Sequence, residues 1–495
     1  MIRTGEQYRE SIRDGREVSI NGEVVRDVPS HPMFKPLVDI RARIYDMQHD
    51  PAHAHLMTYQ EGDETSAIAN RLPLVQADWW DKRRATDAIL DTVGGVVTRV
   101  GDETVGEMWS LFDGQDILND VDPQFARNIR DHIHHVLHRD PFHVSANTDP
   151  KGDRSRPPYE QDPDMLLHVV RETDAGLVVR GAKYETAAAY ANQAFTKPTI
   201  ADWGDAACSD YALGFICDLS SPGLKFLCRT GFAGRGAPED YPLSSRFDEI
   251  ESLVVFDDVL VPWENVLFYR HTRAAQFIRA TLHRYSAFAF VQRLLKQADL
   301  LIGTALLSVR QTGLEGRSAV QEKLAQLAVY REGIHAHLTA AITLGERSPA
   351  GLLMPNQSLL YAGRVLACGQ LPQMMHLARE LCGGQVCLTP DAAAFRDPVS
   401  GPWLQKFYAT VAADADGTGA ENRRRLLALA RDLLNSDYAG HRLSFALFAQ
   451  SPPFAHLAAV YRSFDWDGPL AFVRQAAGLA SPSPSDEGSS VSGDH

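Results

Sequence analysis

The spacing of apolar positions along the chain changes twice. A short helical stretch, Thr4 to Asp14, gives way to the alternating run Glu17 to Val25, whose Asn21-Gly22 pair is a two-residue turn signal, so a hairpin is expected. From Pro36 to Arg139 the spacing lengthens to that of helices. Phe125, Ile129, Ile133, Val136 and Leu137 make one stripe of a helix that stops near Asp140-Pro141. Between Pro141 and Tyr269 the period is two. Gly176 to Tyr184, Asp210 to Cys217, Leu224 to Cys228 and Ile250 to Phe256 read as short strands between Gly- and Pro-rich turns, which predicts a compact barrel or sandwich. Pro262 fits a bend or an edge there.

From Arg270 to about Gly440 helices return. Thr281 to Arg310 is apolar on nearly every side, as a buried bundle helix should be, and Val320, Leu324, Leu327, Ile334 and Leu338 stripe the next. Arg423 to Asn435 supplies another with Leu426, Leu427, Ala430, Leu433 and Leu434. The order predicts an α+β chain: a mainly helical unit over 1–140, a β unit over 141–270, a four-helix-like bundle over 271–480 and a disordered polar tail over 481–495. No internal repeat is present.

The first two units meet in a stretch of different character. His143 precedes the polar loop Asn147 to Pro158, rich in Pro, Gly and Asp, and such a loop between a helical layer and a sheet is either a site's floor or lid or a plain linker.

Composition narrows the class. The chain has 495 residues with 49 Lys plus Arg against 63 Asp plus Glu, a net charge of −14 that disfavours nonspecific binding to nucleic acid or an anionic membrane. Arg423 to Arg425, and Arg279 with Arg284, are candidates for a local basic patch, although such runs are usually solvated faces. The six cysteines form no CxxC, so neither a disulfide framework nor a zinc site is expected. No apolar signal core or membrane-length apolar run occurs, and a cytoplasmic protein with reduced thiols is expected.

Several chemical signals fail on spacing. His132, His134, His135 and His138 share one helix, and His134 with His138 has the spacing of two metal ligands. HExxH is absent, so a solvated or interfacial face outweighs a metal site. Glu332 and His335 form half of a di-iron pattern whose other half is missing. Gly231 to Gly236 and Gly417 to Gly419 lack the dinucleotide order, and neither a phosphate-binding P-loop nor a GxSxG elbow is present. The residues alone leave a flavin- or CoA-type site and an interaction scaffold both open.

Long irregular segments decide further. Arg3 to Tyr8, Gly22 to Pro32, Tyr45 to Pro51, Arg154 to Pro158, Glu172 to Lys183, Pro242 to Arg246 and Phe256 to Val266 resemble the oxygenase components of two-component, reduced-flavin-dependent phenol hydroxylases, the 4-hydroxyphenylacetate 3-monooxygenase family. The likeness runs roughly from Met1 to Leu457. It implies an acyl-CoA dehydrogenase-like fold with an N-terminal helical domain, a middle β-barrel and a C-terminal four-helix bundle, a homotetramer, FAD as FADH2 from a separate NAD(P)H:flavin reductase, and O2. The implied chemistry is ortho hydroxylation of a phenol through a flavin C4a-hydroperoxide, in a site that binds the phenol oxygen and excludes water.

The same resemblance assigns residues. Arg99 and His143 take the positions that hold the phenol oxygen, and Glu103 stands where the family has Tyr. As a carboxylate Glu103 would repel a phenolate, so it pairs with Arg99, binds a cationic group on the substrate, or is a plain surface acid in a shifted register. Thr199 corresponds to a substrate-contacting Ser. His143, Val144, Ser145, Lys151, Gly152, Asp153 and Arg154 line the flavin ring or phosphates. Ala187 takes the position of a flavin-touching Thr, with Thr186 its neighbour, and Ser451-Pro452-Pro453 replaces a Gly-Asp-Pro cofactor segment, keeping its contact through backbone groups. The run Arg99 to Phe112 resembles enediyne-pathway enzymes acting on a tyrosine-like, sometimes chlorinated ring on a peptidyl carrier protein. 4-Hydroxyphenylacetate or a chlorophenol is the alternative substrate. A CoA-ester enzyme of the same fold and a non-catalytic scaffold are the other classes.

Overall fold

A computed structural model describes residues 2–95, 102–198, 206–281, 283–410, 419–448 and 451–479, without the side chains of residues 102, 103 and 278–280. The tail over 481–495 lies outside the described residues. The first segment carries α1 (Gly5–Ser11), a hairpin of β1 (Glu17–Ile20) and β2 (Glu23–Val25), α2 (Lys35–Met47), and a hairpin of β3 (Thr58–Glu61) and β4 (Glu64–Ala67). Next along the chain are α3 (Gln76–Thr92), α4 (Asp102–Asp113) and α5 (Pro123–Arg139). The strands are β5 (His143–Ala146), β6 (His168–Thr173), β7 (Gly176–Thr186), β8 (Gln193–Thr196), β9 (Leu213–Asp218), β10 (Leu224–Cys228), β11 (Glu251–Pro262) and β12 (Val266–Tyr269). Then come α6 (Thr272–Thr281), α7 (His283–Gln311), α8 (Ser318–Thr343), α9 (Gln357–Cys382), α10 (Gly419–Leu434), α11 (Asp437–Phe448), α12 (Pro453–Ser463) and α13 (Asp467–Ala477).

Two sheets form the middle of the molecule, one ordered β2-β1-β10-β11-β7-β6 and the other β12-β9-β8-β5. The N-terminal hairpin belongs to the larger sheet: β1 runs parallel to β10, with Val18 opposite Phe226. Val18, Ile20 and Val25 bury their side chains by joining it, so the hairpin has a tertiary partner that periodicity alone does not reveal. The β3–β4 hairpin is a departure from the helical pattern expected over Pro36 to Arg139. Its residues are mostly polar, with Ser66 and Ala67 buried, and Asp63 beside Gly62, with φ of 63°, forms the turn between strands too short to show alternation.

α5 buries the whole predicted stripe of Phe125, Ile129, Ile133, Val136 and Leu137. Asp122 caps its start by accepting from Gln124 N, and Asp140 ends it in the left-handed region at φ 46°. A non-glycine there is held by its neighbours. Gln48 and Asn70 each donate to the Asp140 carboxylate at 2.9 Å, and the Tyr45 hydroxyl donates to its carbonyl at 2.9 Å. This buried clamp fixes the direction in which the chain leaves α5 for β5.

The long helices α7, α8 and α9 pack on one another, with α10 against α7 and α9. Burial of Arg423 and Arg424 corrects the candidate basic patch. Arg424 pairs with Asp240 at 2.9 Å and Glu421 at 2.8 Å, and Arg423 donates to Ser308 and Gln385, which leaves Arg425 as the exposed member. The Arg424 guanidinium joins the bundle to the segment before β11, whereas Arg423 ties helices of the bundle together.

Candidate active site

The alternation His143-Val144-Ser145-Ala146-Asn147 is the root of the site. In an extended chain successive side chains point to opposite faces, so His143, Ser145 and Asn147 share one face and Val144 and Ala146 share the other. On ordinary surface strands the polar face meets water. Here it meets helices. Ser145 Oγ donates to Glu107 Oε2 at 2.6 Å and lies 3.2 Å from Thr104 Oγ1, while Asn147 Nδ2 donates to the same carboxylate oxygen at 3.0 Å. His143 Nε2 is 3.1 Å from His132 Nε2 on α5. Val144 and Ala146 are fully buried on the opposite face.

Both acceptors on the helices come from a spacing of three. Thr104 and Glu107 lie one turn apart on α4, a helix buried on every described face among Val105, Met108, Trp109 and Leu111. A buried carboxylate requires hydrogen bonds, and Ser145 and Asn147 provide two. Asn147 Oδ1 remains buried and has no hydrogen-bond partner among the described residues. So does Gln193 Oε1, opposite His143 in the parallel register of β5 and β8. Two such acceptors on one face have room for a donor that the described residues do not supply.

Burial governs the imidazoles. His143 is driven down to about 3, chiefly by desolvation, and His132 is also pushed well below the ordinary imidazole range, first by burial and then by the neighbouring His143 and His135. Both rings are therefore neutral at pH 7. The His143 Nδ1 contact to the Val144 carbonyl is long, at 3.3 Å.

The loop after β5 is rooted and then released. Tyr184 N donates to the Thr148 carbonyl at 2.7 Å, and Asp149 forms a buried ion pair with Lys183, whose ammonium also donates to the Lys197 carbonyl at 2.8 Å. Lys151 to Arg156 then run exposed. Gly152 has φ of 51°, and an added Cβ would lie 2.4 Å from Gln161 Oε1, the atom that accepts from Asp153 N at 2.8 Å. The Ser155 hydroxyl and amide hold the Asp153 carboxyl below its usual range. Lys151 and Arg154 thus present exposed cations on a loop whose root is fixed.

The structure gathers His143, Val144 and Ser145 with the root of the Lys151–Arg154 loop. Arg99 and Thr199 lie outside the described residues. Glu103 falls in the first turn of α4, but its side chain lies outside them too. Thr186 is buried at the end of β7 opposite Glu251, beside Ala187 in the left-handed region at φ 69°. Pro452 and Pro453 sit exposed at the start of α12, which packs on α9 in the bundle. Sequence reasoning missed Thr104, Glu107, Asn147, Gln193 and His132 as site residues. His132 was grouped with a solvated or interfacial face. It is instead buried against His143, whereas His134 and His135 are exposed.

Comparison with known proteins identifies the family. The family model "4-hydroxyphenylacetate 3-hydroxylase N terminal" matches residues 4–268, and its C-terminal counterpart matches residues 272–478. The oxygenase component of 4-hydroxyphenylacetate 3-monooxygenase from Thermus thermophilus is 30% identical over 470 residues, covering 94% of this chain and 95% of that protein. A Streptomyces globisporus monooxygenase acting on (3S)-3-amino-3-(3-chloro-4-hydroxyphenyl)propanoyl-[peptidyl-carrier protein] is 31% identical over 454 residues, covering 88% of this chain and 82% of that one. The crystal structure of a 4-hydroxyphenylacetate 3-monooxygenase oxygenase component with FAD and 4-hydroxyphenylacetate superposes with a TM-score of 0.89 at 29% identity, covering 96% of this chain and 98% of that chain. The expected acyl-CoA dehydrogenase-like architecture therefore holds. Matched by its models over nearly the whole length, the chain belongs to the 4-hydroxyphenylacetate 3-hydroxylase family and is a flavin-dependent aromatic monooxygenase, the oxygenase component of a two-component system.

Proposed function

We propose that the protein hydroxylates a tyrosine-like phenol, chlorinated or not, ortho to its hydroxyl while the substrate is tethered to a peptidyl carrier protein. The observation that carries the phenol site is the buried polar face His143–Ser145–Asn147 set against helices instead of water. The carrier-bound substrate rests on the likeness to the Streptomyces globisporus enzyme and on Glu103, an acid suited to a substrate amine, at the family's Tyr position.

The residues fit a flavin. Asn147 Oδ1 and Gln193 Oε1 accept from N–H or O–H donors of its ring or ribityl chain, Ser145 lies beside them, and Lys151 and Arg154 suit its phosphates. Thr186, Pro452 and Pro453 complete the proposed contacts. FAD, delivered reduced by a separate NAD(P)H:flavin reductase, supplies with O2 the electrophilic oxygen.

The chain's own residues do the rest. Neutral His143 accepts the phenol's proton or hydrogen bond, and the anionic oxygen makes the ortho carbon more electron-rich. By the family resemblance Arg99 is the residue to stabilise that oxygen and Thr199 a residue to contact the substrate. Val144 and Ala146 close the strand's far face, so water has no approach from behind. The assembly is proposed to be a homotetramer.

Turnover with a flavin reductase, NADH and FAD tests the reading. Catechol should form from a carrier-bound 3-chlorotyrosine analogue at least tenfold faster than from the free amino acid or 4-hydroxyphenylacetate. Equal rates on free and tethered substrates would remove the carrier. His143→Ala should lower hydroxylation by about 10²-fold while raising H2O2 release; unchanged coupling would remove His143 from the phenol.

A further inference from the structure

We propose that His132 is the second member of a proton relay, taking the proton that His143 withdraws from the bound phenol and passing it towards solvent beside His135. The inference rests on the reading of His143 as the group facing the phenol. A phenol bound in a dry site must lose its proton along some route. His143 is sealed at 3% exposure, and its ring meets His132 edge to face, with centroids 5.3 Å apart and Nε2 atoms 3.1 Å apart. His132 in turn stacks on His135, one turn along the same helix, with centroids 5.8 Å apart and planes 21° from parallel. His135 is exposed. Three imidazoles thus run from the buried strand to the surface.

Imidazole suits this task because one nitrogen can take a proton while the other releases one. The His143 Nδ1 contact to the Val144 carbonyl, long at 3.3 Å, belongs to the Nδ1–H tautomer; in the relay tautomer the proton stands on Nε2, directed at His132, and the phenol oxygen takes the carbonyl's place at the bare Nδ1. The phenol O–H bond breaks and an Nδ1–H bond forms, while the electron pair stays on oxygen. The Nε2 proton of His143 crosses to His132 Nε2, and the Nδ1 proton of His132 leaves to water beside His135. Each ring ends neutral, and one proton has reached solvent.

The surroundings favour transfer over storage. Besides one another, the groups acting on these rings are Arg139 and His134 from α5, which disfavour a charge on His135, and Asp218 at the end of β9, which favours one. The attraction to Asp218 lies at the outer end of the path. Glu107 is the rival acceptor, but both Ser145 and Asn147 already donate to it.

The test uses 4-nitrophenol, which colours on ionisation, mixed anaerobically by stopped flow with the full chain carrying FADH2, below the probe's own ionisation pH. In the unaltered protein the bound anion should appear rapidly. His132→Gln keeps a hydrogen-bonding group but cannot pass a proton on, and His132→Phe removes both. Each should slow the colour roughly tenfold or more, with a solvent isotope effect altered from that of the unaltered protein. Wild-type rates in His132→Gln would overturn the relay even if His132→Phe failed to fold. Slowing in Glu107→Gln with none in His132→Gln would also overturn it. If His143→Ala leaves both rate and amplitude unchanged, or 4-nitrophenol does not bind, the underlying reading of the phenol site falls instead.

Discussion

The two ends of α4 solve the same problem in opposite ways. Thr104, Glu107, Ser110 and Asp113 recur every three residues and form a polar stripe on a helix that is otherwise buried among apolar side chains. At the C-terminal end the network is closed: Asp113 accepts from the Tyr285 hydroxyl and from Ser348 Oγ at 2.5 Å, and Ser110 Oγ donates to the Thr281 carbonyl at 3.0 Å. At the N-terminal end it is open, because Glu107 holds Ser145 and Asn147 while the other atom of that amide has no partner among the described residues. A satisfied polar cluster ties helices together; an incompletely satisfied one, kept in place by its satisfied members, is a receptor.

Asp113→Ala should produce the largest effect. It leaves two buried hydroxyls without their acceptor, for a loss of about 3–5 kcal/mol in denaturant unfolding with the ratio of catechol to H2O2 unchanged in the folded protein. A loss of coupling there would erase the distinction between the ends. Glu107→Gln comes next, with the emphasis reversed. It exchanges charge-assisted bonds for neutral ones, costs about 1–2 kcal/mol, and should divert roughly tenfold more turnover to H2O2 by loosening Ser145 and Asn147.

The closed end has its own pH signature. Burial raises the Asp113 carboxyl above its ordinary value, outweighing the bonds from Ser348 and Tyr285. Below about pH 4, where an unfolded aspartate is protonated, the contribution is complete. As pH rises through the interval up to the raised value, the unfolded chain releases a proton that the folded chain keeps, and stability declines. The wild-type stability relative to non-titrating Asp113→Asn should therefore fall as pH climbs from about 4 towards 7. A gap that widens would reverse the sign. The smallest effect belongs to the exposed loop: Arg154→Ala should change stability by less than about 0.5 kcal/mol but weaken FAD binding several-fold at low salt, and less at high salt.

How far the chain announces this arrangement differs by layer. Long apolar stripes survive translation into structure because burial is what wrote them: every member of the Phe125–Leu137 stripe is buried. Short, mostly polar strands such as β3 and β4 carry no such imprint. The site was half legible. The resemblance pointed to His143 and Ser145, but Glu107 was hidden in a helix where polar residues normally mark the wet side, and His132 was read with neighbours that do face outward. Period three on α4 and period two from His143 to Asn147 were both visible in the letters. That the two polar faces turn towards each other is a fact of packing, and neither pattern contains its partner.

The parallel seam between β1 and β10 bears on synthesis. Glu17 and Ile20 find their partners in Lys225 and Cys228, so the earliest strands leave the ribosome long before the segment that receives them exists. Until that docking, the hairpin has an open strand edge and apolar side chains without a home, a state prone to off-pathway association. One edge of the sheet is thus completed by capturing the chain's own beginning, and removal of the first 25 residues would leave β10 as a new, sticky margin.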